Sequence, residues 1–317
     1  MGWISPFQLR KAGILNMNRR NVSYIARYND RSFFPLVDDK LKTKLLAEEY
    51  GIKTPSLRQV VRQQHEIGRF SDLAEDLDGF VIKPSKGSGG KGITVIHRRD
   101  GADYVKASGA RIPLATLERH LSNILAGLHS LGGTPDVAIV EDLVRPTTDL
   151  ARVSFQGVPD IRIIVFKGYP VMAMLRLSTK ASDGKANLHQ GAVGVGLDIG
   201  SGRALKAVQF NKPILLHPDT GIPVSEIRIE DWHIMLEMAS RCYEATGLGY
   251  IGVDLVLDDI QGPLLLELNA RPGLAIQMAN GKGLLPRLQN IEQMKRPHFT
   301  PAERASYSMS TFGTFTN

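Results

Sequence analysis

A single cysteine, Cys242, leaves no intrachain disulfide available to hold the fold together. It shares a helical spacing with Trp232, Met235 and Ala239, and so reads as a core residue rather than a reactive thiol. No stretch approaches the about 20 apolar residues of a membrane span, and the first residues lack the apolar core of a signal peptide; a cytoplasmic protein is expected. The net charge is +7, yet no basic run is long and the aromatic motifs of RNA readers are missing. A basic site for small anionic substrates accounts for the excess as well as nucleic acid does, and no nucleic-acid partner is expected. There is no GK[ST] phosphate loop opening a helix, no Rossmann glycine spacing, no Ser–His–Asp or Cys–His arrangement and no internal repeat. What remains is a globular composition, 43% hydrophobic and 22% charged over 317 residues, enough for one large or two modest domains.

The stretch Gly262 to Gly273, GPLLLELNARPG, is a short apolar strand into which Glu267 and Asn269 are set two positions apart. Period-2 geometry puts both side chains on one face. A carboxylate beside an amide oxygen suits a hard divalent cation such as Mg²⁺; alternatively the two merely end and solvate a strand. The strand before it, Gly249 to Leu257, carries Asp254 in an apolar run, and Gln261-Gly262 is a turn signal. A hairpin would bring Asp254 to Glu267, and buried carboxylates so paired need a cation or a hydrogen-bond network.

Upstream, a basic arm over residues 1–35 carries Tyr24, Ile25, Phe33 and Phe34, apolar enough to dock on the body. Asp38 or Asp39 can cap a helix whose face is Leu41, Leu45 and Leu46, ended by Gly51. Phe80 to Pro84 reads as a strand ending in Lys83, followed by the loop Ser85 to Gly92 and another strand. Glycines there let main-chain N–H groups approach phosphates, and Ser88, Gly89 and Gly90 are the candidates. Leu117 to Leu131 follow helical spacing up to Gly132-Gly133, and Val137 to Val144 form a strand with an acidic end at Glu141. Asp160 to Val165 and Pro170 to Leu177 flank the hairpin signal Lys167-Gly168. Arg162 and Arg176, set among apolar residues, need anions; one of them can pair with Asp160. Asn187 and His189 lie in the next loop, Glu230 to Thr246 form an amphipathic helix, and the proline- and Ser/Thr-bearing end from Ile291 reads as a loose tail.

The series DK helix, VIKP with glycine loop, EDL strand, DIR hairpin, NLH loop, GVDL strand and LELNARPG resembles, in order, the ATP-grasp superfamily over about Val37 to Leu285. It is most similar to RimK-like α-L-glutamate ligases, with sugar-transfer-associated ATP-grasp proteins a near relative. The resemblance implies an α+β ATP-grasp fold, two lobes clasping ATP, with an arm (1–35), a glycine-loop lobe (36–140), a metal-site lobe (141–290) and a tail (291–317). It implies that Lys40 (or Lys44) and Lys83 contact phosphates, while Glu141 and the main chain of Leu143 hold adenine. Asp254, Glu267 and Asn269 would bind Mg²⁺ or Mn²⁺, with Arg162, Arg176 and Asn187 around the transferred phosphoryl group and the substrate carboxylate. The implied activity is an ATP-dependent carboxylate–amine ligase acting through an acyl phosphate, adding glutamate to a peptide, protein or small carboxylate acceptor. A phosphotransferase acting on a hydroxyl and a non-catalytic nucleotide-binding partner are the other readings. The chain departs from RimK-like ligases at Lys185, where an arginine is usual, and at Gly191-Ala192, where two glycines are. Its short arm stands in place of a whole domain, which suits an open acceptor side completed by a homo-oligomer or a partner subunit.

Overall fold

The computed structural model describes residues 6–87 and 89–314. Two antiparallel sheets are built from thirteen strands: β1 Leu57–Val61, β2 Phe80–Pro84, β3 Thr94–Asp100, β4 Asp103–Lys106, β5 Arg111–Pro113, β6 Ala138–Asp142, β7 Asp160–Phe166, β8 Tyr169–Leu177, β9 Val193–Leu197, β10 Ala204–Gln209, β11 Lys212–Ile214, β12 Tyr250–Asp258 and β13 Gly262–Asn269. The first sheet runs β1-β6-β2-β3-β4-β5 and the second β11-β10-β9-β8-β7-β12-β13. In the first, β2 and β6 are central, so Phe80, Ile82, Ala138 and Val140 bury fully against helices Ile67–Asp76 and Leu114–Leu125.

The second sheet owes its register to tight turns and the apolar run of each strand. Lys167 and Gly168, both at positive φ, form the two-residue turn from β7 to β8, the arrangement that matches strand twist. Helix Ile276–Asn280 lies across β8, β9 and β10, and it can do so because β9 carries glycines. A Cβ on Gly196 would sit 2.5 Å from the carbonyl oxygen of Ala279, so only glycine permits this approach. Helix Trp232–Thr246 buries Met235, Leu236, Ala239 and Cys242 against the sheet and is closed by Gly247 at φ 67°. Cys242 is fully buried, and burial pushes its thiol up, which suits the expected core role.

Three local expectations are corrected. The helix expected to run on to Leu131 ends at Leu125, because Gly127 turns the chain at φ 82° and its Cα lies against Thr134. On helix Lys40–Glu49 the buried positions are Leu41, Thr43, Lys44 and Ala47, whereas Leu45 is 50% exposed. The end of the chain is no loose tail. Thr300 and Glu303 form a reciprocal capping box around Pro301, and helix Pro301–Phe312 packs on helix Trp232–Thr246 and β8.

The arm docks as expected through Tyr24 and Ile25, both buried, while Phe33 is 41% exposed. Tyr24 and Tyr28 meet Phe166 edge-on at 5.5 and 4.9 Å. Buried Asn29 exchanges hydrogen bonds with the main chain of Tyr250, at 2.7 and 2.8 Å, which stitches the arm to β12.

The terminal helix is fixed by Arg304, which donates to Gly168 O and Ser240 Oγ and pairs with Glu244. Because Glu244 is itself 33% exposed, Arg304→Met should cost about 2 kcal/mol, less than the 3–5 of a fully buried pair. An unshifted urea midpoint would show that the helix is held some other way.

Candidate active site

Four neighbouring strands of the second sheet bring the expected residues onto one face. Arg162 on β7 stands opposite Asp254 on β12, Asp254 opposite Glu267 on β13, and Asp160 on β7 opposite Arg176 on β8. Asn269 lies two residues beyond Glu267 on the same face. Arg162 grips Asp254 with both arms of its guanidinium, Nε to Oδ1 at 2.7 Å and Nη2 to Oδ2 at 2.5 Å. Arg176 bridges, donating Nη2 to Asp254 at 2.8 Å and Nε to Asp160. Asn269 adds a longer donor to Asp254 at 3.3 Å.

Burial is the largest influence on Asp254, Asp160 and Arg176. It raises the Asp254 carboxyl, but Arg162 and Arg176 outweigh it and hold the group at about 2. Asp160 is pushed up to about 6 by burial and by the Asp254 carboxylate, against the pull of Arg176. Arg176 is raised, since its two carboxylates overcome the cost of burial.

The three residues expected to bind a metal thus lie side by side, and Asp254 among them is engaged by two arginines. The arginines, for their part, are not open to an incoming anion until they share those carboxylates. Glu267 is half-buried and makes no hydrogen bond or ion pair among the described residues, and Asn269 Oδ1 is uncommitted among them. Two uncommitted oxygen donors on one strand face fit a hard cation. Among the described residues no three His, Cys, Asp or Glu side chains converge as a metal cluster, at this face or elsewhere.

The first sheet supplies a second charged cluster. Lys83 on β2 and Lys44 both reach the Glu141 carboxylate on β6, at 2.5 and 3.0 Å, and all three are buried. Glu141 Oε2 lies 3.0 Å from the Lys44 ammonium without a hydrogen bond of good geometry. Lys44 also donates to Thr54 and to the carbonyl of Pro55, and its ammonium is depressed by burial ahead of the opposing pull of Glu141. Lys40, the favoured helix lysine, instead bonds the carbonyl of Gly87 at 2.6 Å, inside the glycine loop. Asp39 caps that helix and also accepts from Ser85, so helix and loop are tied at their start. Gly89 and Gly90 are exposed at positive φ with open space around them, and Ser88 lies outside the described residues. Leu143, half-buried, follows β6 directly.

Other expected residues are not drawn in. Asn187 accepts from His189 N as the cap of a single helical turn. Lys180 lies over the Phe155 ring, Lys185 pairs with Asp183 and Arg271 with Asp38, each in its own exposed setting. A cavity of about 530 Å³ opens elsewhere, between Asp149, Arg152, Glu226, Arg228 and Trp232.

Glu141→Gln would leave two buried lysines without a counter-charge, and a loss of about 3–5 kcal/mol in urea unfolding is expected. Adding Lys44→Met should restore part of it, because only Lys83 then lacks a partner. An unchanged midpoint for the single variant would mean that the lysines have another anion.

A family model described as sugar-transfer associated ATP-grasp matches residues 19–293. No curated protein matches. Among solved structures, the ATP-grasp ligase PsnB complexed with a minimal precursor is 15% identical, with a TM-score of 0.45, covering 83% of this chain and 61% of its own. D-alanyl-alanine synthetase A from Vibrio cholerae is 10% identical, with a TM-score of 0.48 and coverages of 88% and 66%. D-cycloserine synthetase DcsG is 16% identical, with a TM-score of 0.45 and coverages of 86% and 71%. The chain thus spans about three-fifths of the length of PsnB.

Proposed function

The chain belongs to the sugar-transfer-associated ATP-grasp family, and from that membership we propose that it is an ATP-dependent carboxylate–amine ligase. The observation that carries the proposal is the uncommitted Glu267 and Asn269 Oδ1 on the sheet face that also holds Arg162 and Arg176. In this reading Lys40 and Lys83 hold phosphate oxygens, and Glu141 Oε2 with the main chain of Leu143 holds adenine. Glu267 and Asn269 hold Mg²⁺, with Asp254 beside them; Mn²⁺ suits the same oxygen donors. The metal, when bound, neutralises charge on the phosphates during transfer. The chain's own residues need supply little acid–base work. They fix the two substrates and place positive charge where it develops.

The charge balance of the sheet face supports a metal. Arg162 and Arg176 are cancelled by Asp160 and Asp254, and Glu267 adds one negative charge. Bare ATP would meet a face of its own sign. Saturating ATP with Mg²⁺ is therefore expected to raise the melting temperature, by about 2.7 kcal/mol at 100 Kd, at about 2–4 °C per kcal/mol for a chain of this size. ATP with chelator should give much less. No shift under either condition would sink the nucleotide reading, and equal shifts would remove the metal. Glu267→Gln should lower ADP release at least about 100-fold.

The finer reading, as in RimK-like ligases, is addition of glutamate to a carboxylate-bearing acceptor. Two guanidiniums on one face support it, since each can take a carboxylate bidentately once its aspartate is shared. Enzyme, Mg²⁺·ATP and single amino acids, with and without peptide acceptors, would be followed by ADP release and product mass. A glutamyl mass addition is expected. ADP release with a phosphorylated product would replace the ligase by a phosphotransferase, and release with other amino acids only would remove glutamate.

A further inference from the structure

The arm does more than brace the second sheet. Its first 29 residues hold five cations, Arg10, Lys11, Arg19, Arg20 and Arg27, and no Asp or Glu, so most of the chain's net charge of +7 originates there. The inner side is rigidly held. Leu15, Tyr24, Ile25 and Asn29 are buried, Leu15 N donates to Gln277, Gly13 lies against the Pro286 ring, and Arg20 donates to Pro272 O at 2.8 Å. What faces outward therefore cannot turn in. Phe7 is 77% exposed, Met17 63% and Val22 71%, and Leu9 also lies in solvent. Between them the side chains of Arg10, Lys11 and Arg19 make no hydrogen bond or ion pair among the described residues. Elsewhere, exposed apolar side chains stand singly, such as Ile260 and Phe299, or as the neighbouring pair Leu215 and Leu216, which is ordinary for a protein surface.

We propose that this outer face of the arm docks on an anionic lipid surface, with Phe7, Met17 and Val22 entering the headgroup boundary and the free cations neutralising lipid phosphates. The argument is charge complementarity joined to apolar exposure. An interface of bulky apolar side chains with unpaired arginine and lysine gains from burial in lipid and from the negative surface potential together. A nucleic-acid backbone would use the cations alone and leave Met17 and Val22 in water. This is surface attachment: no helix among the described residues is long and apolar enough to cross a membrane. It does not depend on the proposed ligase activity.

The test is co-sedimentation of the full chain with vesicles of phosphatidylcholine alone, and with about one-third phosphatidylserine. Binding to the anionic vesicles only, weakened by about 0.5 M salt, is the expected result. Arg10→Ala/Lys11→Ala should weaken it about 25-fold, at roughly fivefold per charge. Phe7→Ser/Met17→Ser/Val22→Ser should also release the protein at unchanged melting temperature, since these side chains touch no core. The proposal is overturned by equal binding to neutral vesicles, by no binding to either, or by an apolar triple variant that binds as wild type. Tighter binding to a single-stranded RNA, indifferent to the apolar triple variant, would likewise overturn it and assign the face to nucleic acid.

Discussion

Two aspartates and two arginines share one face of the seven-stranded sheet, and their mutual contact is the constraint on which the second lobe depends. Arg176 bridges Asp160 and Asp254 while Arg162 closes on Asp254 from the next strand. Each ion taken singly would be costly to bury; matched, they form a neutral set that tolerates desolvation. The match requires β8, β7, β12 and β13 to be in one register, because a slip of one residue would turn each partner to the opposite face. The same register sets Glu267 and Asn269 beside the cluster. Site geometry and sheet register are thus one property, enforced by charge on this face and by apolar packing on the other.

Much of this was legible because strands have a period of two. The spacing of Glu267 and Asn269, the apolar run around Asp254 and the Lys167-Gly168 turn suffice to place β7, β8, β12 and β13 in sequence terms. What the spacing could not say is how the charges divide. Asp254 has two cationic neighbours that arrive from strands 78 and 92 residues away, and local pattern carries no information on that competition. Lys44 is a similar case. On its own helix it looks like a solvated lysine four residues after Lys40, and its burial is decided by Glu141, far along the chain. Leu45, by contrast, looked like core, and is exposed because the helix turns its lysine face inward.

The end of the chain differs from its composition for another reason. Proline and hydroxyl content suggested a loose segment, yet Thr300-Pro301-Ala302-Glu303 spells a capped helix start, with proline at the first position and the reciprocal Thr–Glu pair. That signal is local and was available in the sequence.

The two charged clusters differ in sign, and the difference bears on how a ligand would lie between the sheets. At the first sheet Lys83 and the helix residue Lys44 face one carboxylate, and Lys40 donates to the carbonyl of Gly87 in the glycine loop. That side carries surplus positive charge, and burial depresses the Lys44 ammonium against the pull of Glu141. On the second sheet the arginines are cancelled and Glu267 remains, a surplus of negative charge. A bare polyanion would be drawn to the first cluster and repelled by the second; a bare cation would meet the reverse. Only a ligand with phosphate at one end of its reactive group and metal at the other answers both, and the proposed magnesium–nucleotide substrate has that polarity. In that proposal Glu267 and Asn269 would hold the metal, which would neutralise phosphate charge, while Arg162 and Arg176 on the same face would stand beside the transferred group.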